Sequence, residues 1–207
     1  MRFDGVDALA IDTAEFELPD GPFTVECWLR ADGFGDRTGL VCKTEVAEYG
    51  IFVSNGKPSF SVYLGKGYAT ATSDRSQLAP GKWQHIAGVY DGSEVRVYVD
   101  GKVAARTAGT GKRKLNGLPL IVGADVTPEG KATSHFSGKI DGLHISKVAR
   151  YTGDTFAPVR RPAADGDTVL LTNFDREIGR QVWVERKDGK RGLAGRPIGS
   201  PVLVPAE

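Results

Sequence analysis

Cysteine is scarce in this chain, with two in 207 residues. Two thiols cannot make the dense disulfide framework by which small secreted domains compensate for a thin core. Neither a C-x-x-C pair nor a Cys/His zinc spacing occurs. Histidine is nearly as rare, at three, and the spacings G-x-S-x-G, H-E-x-x-H and G-x-x-x-x-G-K-[ST] are all missing, which removes the common signatures of serine hydrolases, zinc peptidases and P-loop enzymes. Excess charge is missing too: the net charge is +1, so no global field recruits nucleic acid or an anionic membrane. No apolar run approaches the ~20 residues of a membrane-spanning helix. Met1 is followed at once by a charged residue, unlike a signal peptide. Internal repeats and low-complexity tracts are absent.

What is present suits an all-β domain. Hydrophobic residues make up 40% of the chain, enough for a core, and 27 glycines with 11 prolines supply many turns. A single sandwich-type domain accommodates this length. The most legible stretch is W-Q-H-I-A-G-V-Y-D-G-S-E-V-R-V-Y-V-D-G, residues 83–101. Both arms alternate with strand periodicity, and Asp91-Gly92 provides a turn because Asp-Gly accepts the positive φ of tight hairpins. His85 shares parity with Trp83, Ala87 and Val89, a row expected to face the core, with Trp83 as a core anchor and His85 as a structural imidazole.

Other strands are expected at residues 2–12, 23–29, 40–44, 49–53, 59–64, 69–72, 103–107, 118–123, 136–146 and 170–174, with Asn55-Gly56 as a strong hairpin signal. Phe23, Val25, Cys27 and Leu29 form one inward row, leaving Thr24, Glu26 and Trp28 on the other face. A short helical turn is expected near residues 147–151. Cys27 and Cys42 are expected on neighbouring strands, as reduced thiols or, alternatively, a cross-strand disulfide. Residues 1–175 read as the sandwich and 176–207 as an extension, either an appended hairpin packed on it or a linker.

These motifs resemble a known family. W-x-H-[IV]-A-x-x-Y-D-G followed by V-x-x-Y-V-D-G-K is similar to the central hairpin of laminin-G-like jelly-roll domains of the concanavalin A-like lectin/glucanase superfamily. Residues 2–7 (R-F-D-G-V-D), 23–29 (F-T-V-E-C-W-L) and 138–146 (G-K-I-D-G-L-H-I-S) resemble its opening, second and closing strands. V-A-R-Y-T-G-D-T-F, residues 148–156, resembles variants in bacterial surface and phage tail proteins. The resemblance implies an antiparallel two-sheet β-sandwich, a non-enzymatic carbohydrate-binding or adhesion module, an extracellular or cell-surface location, and a place within a longer chain. The alternatives are a structural or protein-interaction domain of a surface or phage-like assembly, and a divergent glycoside hydrolase. Against the last, glycosidases on this fold carry closely spaced carboxylates such as E-x-D-x-E, a spacing missing here.

Candidate site residues follow. Tyr63 and Tyr68, from an aromatic group with Tyr49 and Phe60, could stack on a sugar face, although strands favour aromatics for packing alone. The expected partner is a glycan or protein ligand, with no nucleic acid and no membrane insertion. Lys112-Arg113-Lys114 and Arg160-Arg161 read as solvated basic spots. Asp141 has the parity of Leu143 and Ile145, so its carboxylate is expected inward, where an unpaired charge is costly. The resemblance implies a structural calcium (Ca2+) there, with carbonyls near Asp4 and Gly5 completing a shell of hard oxygens. Backbone amides or a lysine are the alternative partners.

Overall fold

The computed structural model describes residues 1–12, 18–175, 177–178, 181–185 and 191–204. Among the described residues every regular element is a strand, and no helix is long and apolar enough to cross a membrane. Numbered along the chain, the first sheet runs β10 (Lys102–Ala108), β9 (Glu94–Val99), β8 (Gln84–Tyr90), β3 (Phe23–Ala31), β14 (Ser137–Ser146) and β15 (Thr168–Thr172). β1 (Arg2–Asp4) lies along another stretch of β14. The second sheet runs β2 (Ala8–Ile11), β11 (Leu120–Val122), β4 (Thr38–Cys42), β5 (Tyr49–Ser54), β6 (Lys57–Leu64) and β7 (Gly67–Thr72). All these pairings are antiparallel.

In the 176–207 extension, β17 (Gln181–Glu185) pairs along one edge with β15 and β16 (Glu177–Ile178) and along the other with β18 (Arg191–Ile198), which in turn pairs with β2. The hydrogen-bonded path therefore passes from one sheet to the other. A small hairpin of β12 (Asp125–Val126) and β13 (Ala132–Thr133) covers an apolar patch of Ala8, Ala10 and Ile121 outside the main core.

The core lies between the sheets. Phe23, Val25, Cys27 and Leu29 from one layer meet Ile51, Val53, Phe60 and Val62 from the other, all fully or almost fully buried. Each such Val, Leu, Ile or Phe contributes roughly 1.5–3 kcal/mol. The turns follow their chemistry: Asp91 Oδ1 accepts the backbone N–H groups of Ser93 and Glu94, both at 2.8 Å, and Asp100-Gly101 joins β9 to β10 with φ of 48° and 73°.

A third layer was not legible in advance. Residues 147–163 cross the outer face of the first sheet as an irregular strap, without the helical turn expected at 147–151. Tyr98 donates to the Gly153 carbonyl at 2.8 Å, Trp28 Nε1 donates to the Val159 carbonyl at 2.9 Å, and the Tyr151 and Phe156 rings stack 3.5 Å apart.

The strap corrects the assignment of His85. The row facing the inter-sheet core is Ile86 and Tyr90, whereas Ala87 and Val89 join Tyr98 in a separate apolar cluster beneath Tyr151 and Phe156. His85 lies on this strap side, against Phe156. Both faces of β8 are covered, so both rows are apolar and alternation alone could not say which faced inward. Trp83 is not a core anchor either: it is half-buried, with the Arg160 guanidinium 4.4 Å above its ring.

The first expected strand, residues 2–12, is two strands. Asp4 Oδ1 accepts the backbone N–H of Val6 and of Asp7, and Gly5 adopts φ +94°, so the chain turns out of β1 and crosses to the second sheet. Cys27 and Cys42 sit on β3 and β4, which belong to different sheets, and both are buried free thiols. Burial pushes the Cys42 thiol well above its usual range.

Candidate ligand-binding surface

Tyr63 and Tyr68 are direct cross-strand partners on β6 and β7. Their rings meet edge to face, 5.0 Å apart at 86°, the arrangement that aromatic quadrupoles favour. They point away from the core because Phe60, Val62 and Leu64 occupy the inward parity of β6. Ser61 and Thr70 share the outer face, their hydroxyls 2.9 Å apart. Lys114 Nζ lies 5.3 Å above the Tyr63 ring. Tyr68 is the more open of the two, at 40% exposure.

Tyr68 is also fixed in place. Its hydroxyl donates to the Ala47 carbonyl at 3.0 Å and accepts from the Ala47 N–H at 3.3 Å. Burial pushes its phenol upward despite the partial exposure. Ala47 belongs to a loop, residues 45–48, in which Glu45, Val46 and Glu48 have φ of 88°, 53° and 53°. Such conformations cost of order 1–3 kcal/mol each in non-glycine residues and persist only where the surroundings impose them.

A buried charge cluster imposes them here. Glu48 accepts from Lys43 Nζ at 3.0 Å and from Arg113 at 2.6 Å. Arg113 also donates to the Leu18 carbonyl at 2.6 Å, and Lys43 to the Asn116 carbonyl at 2.7 Å. Asn116 closes the loop by donating to the Thr44 carbonyl at 2.7 Å. Burial lowers the Lys43 pKa despite its Glu48 partner. The result is a rigid rim that presents Val46 at 57% exposure next to the pinned Tyr68, with Leu115 at 63% on the Lys114 segment. Nothing in residues 45–48 announces this in sequence, because none is glycine or asparagine. Of the Lys112-Arg113-Lys114 spot, Arg113 is a buried tie rather than a solvated charge.

The calcium residues fare differently. Asp141 does not point into the core. A bulge between Asp141 and His144, with Gly142 at φ +56°, shifts the strand's parity, so Leu143 and Ile145 face inward while Asp141 sits beside outward-facing Trp28. Its carboxylate is satisfied by Arg160 at 2.7 Å and by the Gly142 N–H at 2.9 Å. β1 does run beside β14, but Asp4 pairs with Ser137, four residues from Asp141, or about 13 Å at strand rise. Calcium oxygens lie within about 2.6 Å of the ion, so Asp141, Asp4 and Gly5 do not make one shell. Among the described residues no group of three or more His, Cys, Asp and Glu side chains is arranged to hold a metal.

A second polar centre lies under the strap. Glu26, on the outer face of β3, accepts from His85 Nε2 at 3.1 Å, His144 Nδ1 at 3.2 Å and the Tyr151 hydroxyl at 2.8 Å. His144 Nε2 reaches the Thr168 hydroxyl at 2.9 Å. An ionised carboxylate can only accept, so both histidines present N–H to it. Burial alone would push the Glu26 carboxyl up; the hydrogen bonds from His144, His85 and Tyr151 outweigh it and hold it down at about 2. The strap residue Arg150 binds Asp165 through two hydrogen bonds of 2.7 and 2.9 Å beside this centre. A cleft of about 140 Å³ opens above it. Sequence reasoning identified Glu26 only as an outward strand residue and had no signal that the 148–156 segment would supply its tyrosine partner.

Comparison with known proteins agrees with this architecture. Human pappalysin-1 is 30% identical over 202 residues, covering 85% of this chain and 12% of that protein, so the chain spans about an eighth of the relative's length. Among solved structures, a Bacteroides ovatus protein described as a candidate carbohydrate-binding protein superposes with a TM-score of 0.67 at 16% identity, covering 95% of this chain and 59% of that one. The carbohydrate-binding module of a Ruminococcus gnavus sialidase, bound to α2,3-sialyllactose, superposes with a TM-score of 0.58 at 10% identity, covering 73% of this chain and 90% of that one. The laminin-G model of the concanavalin A-like lectin/glucanase superfamily matches residues 3–153, well over half the chain, and the chain belongs to that family.

Proposed function

We propose that this chain is a non-catalytic carbohydrate-binding module of a larger secreted or surface protein, and that its saccharide sits against Tyr68, Tyr63 and the strained loop at residues 45–48. The observation that carries this reading is the pinned Tyr68: an open aromatic ring whose hydroxyl is tied to a loop that is itself locked by a buried ion cluster. A ligand meeting a rigid ring loses little affinity to ordering it. The adjoining Ser61 and Thr70 hydroxyls offer hydrogen bonds to sugar hydroxyls.

The Glu26 centre supports a non-catalytic reading. Both Glu26 oxygens are engaged by three donors and the group stays ionised. Such a carboxylate is a poor proton donor and a hindered nucleophile, whereas glycoside hydrolysis needs one carboxyl of each kind. Exposed Val46 and Leu115 favour a second reading, adhesion through a protein partner at the same rim. A glycan array probed with the wild-type chain and Tyr68→Ala decides between them. Saccharide binding weakened about tenfold by Tyr68→Ala, near 1.4 kcal/mol, supports the glycan. Binding indifferent to Tyr68 and Tyr63 places the site elsewhere.

A further inference from the structure

The hydrogen-bonded path of strands has two ends, β10 and β7, and they differ in kind. β10 is guarded in the ways that keep a sheet edge from pairing with another chain. Its register breaks at a bulge between Val103 and Ala105, it carries Lys102 and Arg106, and the strap sets the Asp154 carbonyl on the Val103 N–H at 2.9 Å. β7, reading G-Y-A-T-A-T, has no charge, no proline and an unbroken register with β6 over all six residues.

Tyr63 turns its N–H to the Glu48 carbonyl at 2.8 Å and its carbonyl to the Lys114 N–H at 3.1 Å. Tyr63 and Tyr68 are therefore a cross-strand pair without mutual backbone hydrogen bonds. By alternation Tyr68, Thr70 and Thr72 turn N–H and C=O away from β6, and the Ser73 N–H, on the Pro58 carbonyl at 3.0 Å, fixes the same phase from the other end. Among the described residues no hydrogen bond is made to those six groups, and all three residues are exposed. Ala47, which holds the Tyr68 hydroxyl, precedes β5 on the far side of β6, so the tether draws the ring over the sheet and off the edge.

An antiparallel pairing of two such edges about a two-fold axis is self-complementary: what one strand offers, the other answers. Centred on Thr70, it sets Thr70 against Thr70 and Tyr68 against Thr72 twice, so that all six outward groups of each strand find partners. Any shifted register leaves some of them unpaired. The same register sets Lys66 against Asp74 at both ends of the pair. Both are exposed, and the contact of Asp74 with its neighbour Arg75, at 3.5 Å, is a solvated one worth little. Hydrogen bonding and charge complementarity thus select one alignment.

We propose that β7 is an association edge that takes β7 of a second copy of this chain, antiparallel and centred on Thr70, joining the second sheets of two molecules. A two-fold axis perpendicular to the sheet keeps both outer faces on one side. The two tyrosine rims then face the same surface, with Thr72 of the second copy beside each Tyr68. The pairing does not rest on the saccharide reading, and the two fail separately.

The test is sedimentation velocity of the full chain from about 5 to about 500 µM, the range in which a small edge interface associates. The chain should pass from monomer to dimer as concentration rises. Lys66→Asp and Asp74→Lys each set like charges opposite one another at both ends and should weaken association about tenfold at low salt. The double swap restores opposite charges and should restore the dimer. Both positions are exposed and outside the strand, so melting temperatures should stay at the wild-type value, which separates lost pairing from lost fold. Amide hydrogen exchange gives a second readout: raising the concentration should slow the amides of Tyr68, Thr70 and Thr72 but not those of Gly67, Ala69 and Ala71, which already face β6. A monomer throughout would overturn the proposal. So would a dimer indifferent to both charge reversals, or one whose added protection lies on strands other than β7.

Discussion

Replacing Glu26 with glutamine tests whether the strap is held by a buried anion. The folded carboxyl sits at about 2 against an ordinary 4.5, a depression worth roughly 3 kcal/mol. Because the folded value is depressed, this stabilisation is fully present above pH 4.5 and is lost as pH falls through 4.5 toward 2. By pH 3 about 2 kcal/mol of it should be gone. Glutamine keeps the shape but offers one acceptor oxygen where His85, His144 and Tyr151 present three donors, so an unsatisfied buried donor adds ~1–3 kcal/mol. Urea unfolding should therefore find Glu26→Gln roughly 4–6 kcal/mol less stable than wild type at pH 6, with the gap narrowed by about 2 kcal/mol at pH 3. An equal gap at both pH values would refute the reasoning, since it would mean that the charge of Glu26 contributes nothing and only its shape matters.

Other outcomes follow from the same contacts. Gly101→Ala should destabilise the protein by more than ~1 kcal/mol in urea unfolding, because Gly101 has φ +73° and a Cβ there would lie 2.0 Å from the Phe156 carbonyl oxygen; a neutral effect would mean that the strap is not seated on this turn. Calcium and chelator should leave the melting temperature unchanged, since Asp141 is paired with Arg160 and lies apart from Asp4; a calcium-dependent rise abolished by Asp141→Ala would restore the metal reading.

The sandwich was legible wherever one face of a strand is polar and turn chemistry is strict. β3 showed its inward row because Phe23, Val25, Cys27 and Leu29 alternate with Thr24, Glu26 and Trp28, and the Asn55-Gly56 turn demanded positive φ that the structure shows. Legibility failed where a rule of parity met something local sequence does not encode. The covered outer face of β8 made both of its rows apolar, so His85 was assigned to the wrong layer. The bulge at Gly142 reversed the parity of Asp141, and the Asx turn at Asp4 split a strand between two sheets. Cys27 and Cys42 are close in sequence yet sit on different sheets, because the connection after β3 crosses between layers instead of closing a hairpin. For the candidate site, Tyr63 and Tyr68 were named in one aromatic group with Tyr49 and Phe60, and nothing in the sequence separated the outward pair from the two that are buried. The strain at Glu45, Val46 and Glu48 was not legible either, because it is imposed from a distance by Arg113 and Asn116.

Saccharide binding at the pinned tyrosine rim can be located residue by residue. The most direct measurement is a backbone amide NMR titration of the chain with a saccharide that it binds on an array, repeated on Tyr68→Ala. Binding at this rim should concentrate shift changes at residues 45–48, 61–63, 68–70 and 114–115 and reduce affinity about tenfold in the variant. Shift changes clustered at the opposite sheet, with unchanged affinity in Tyr68→Ala, would contradict it.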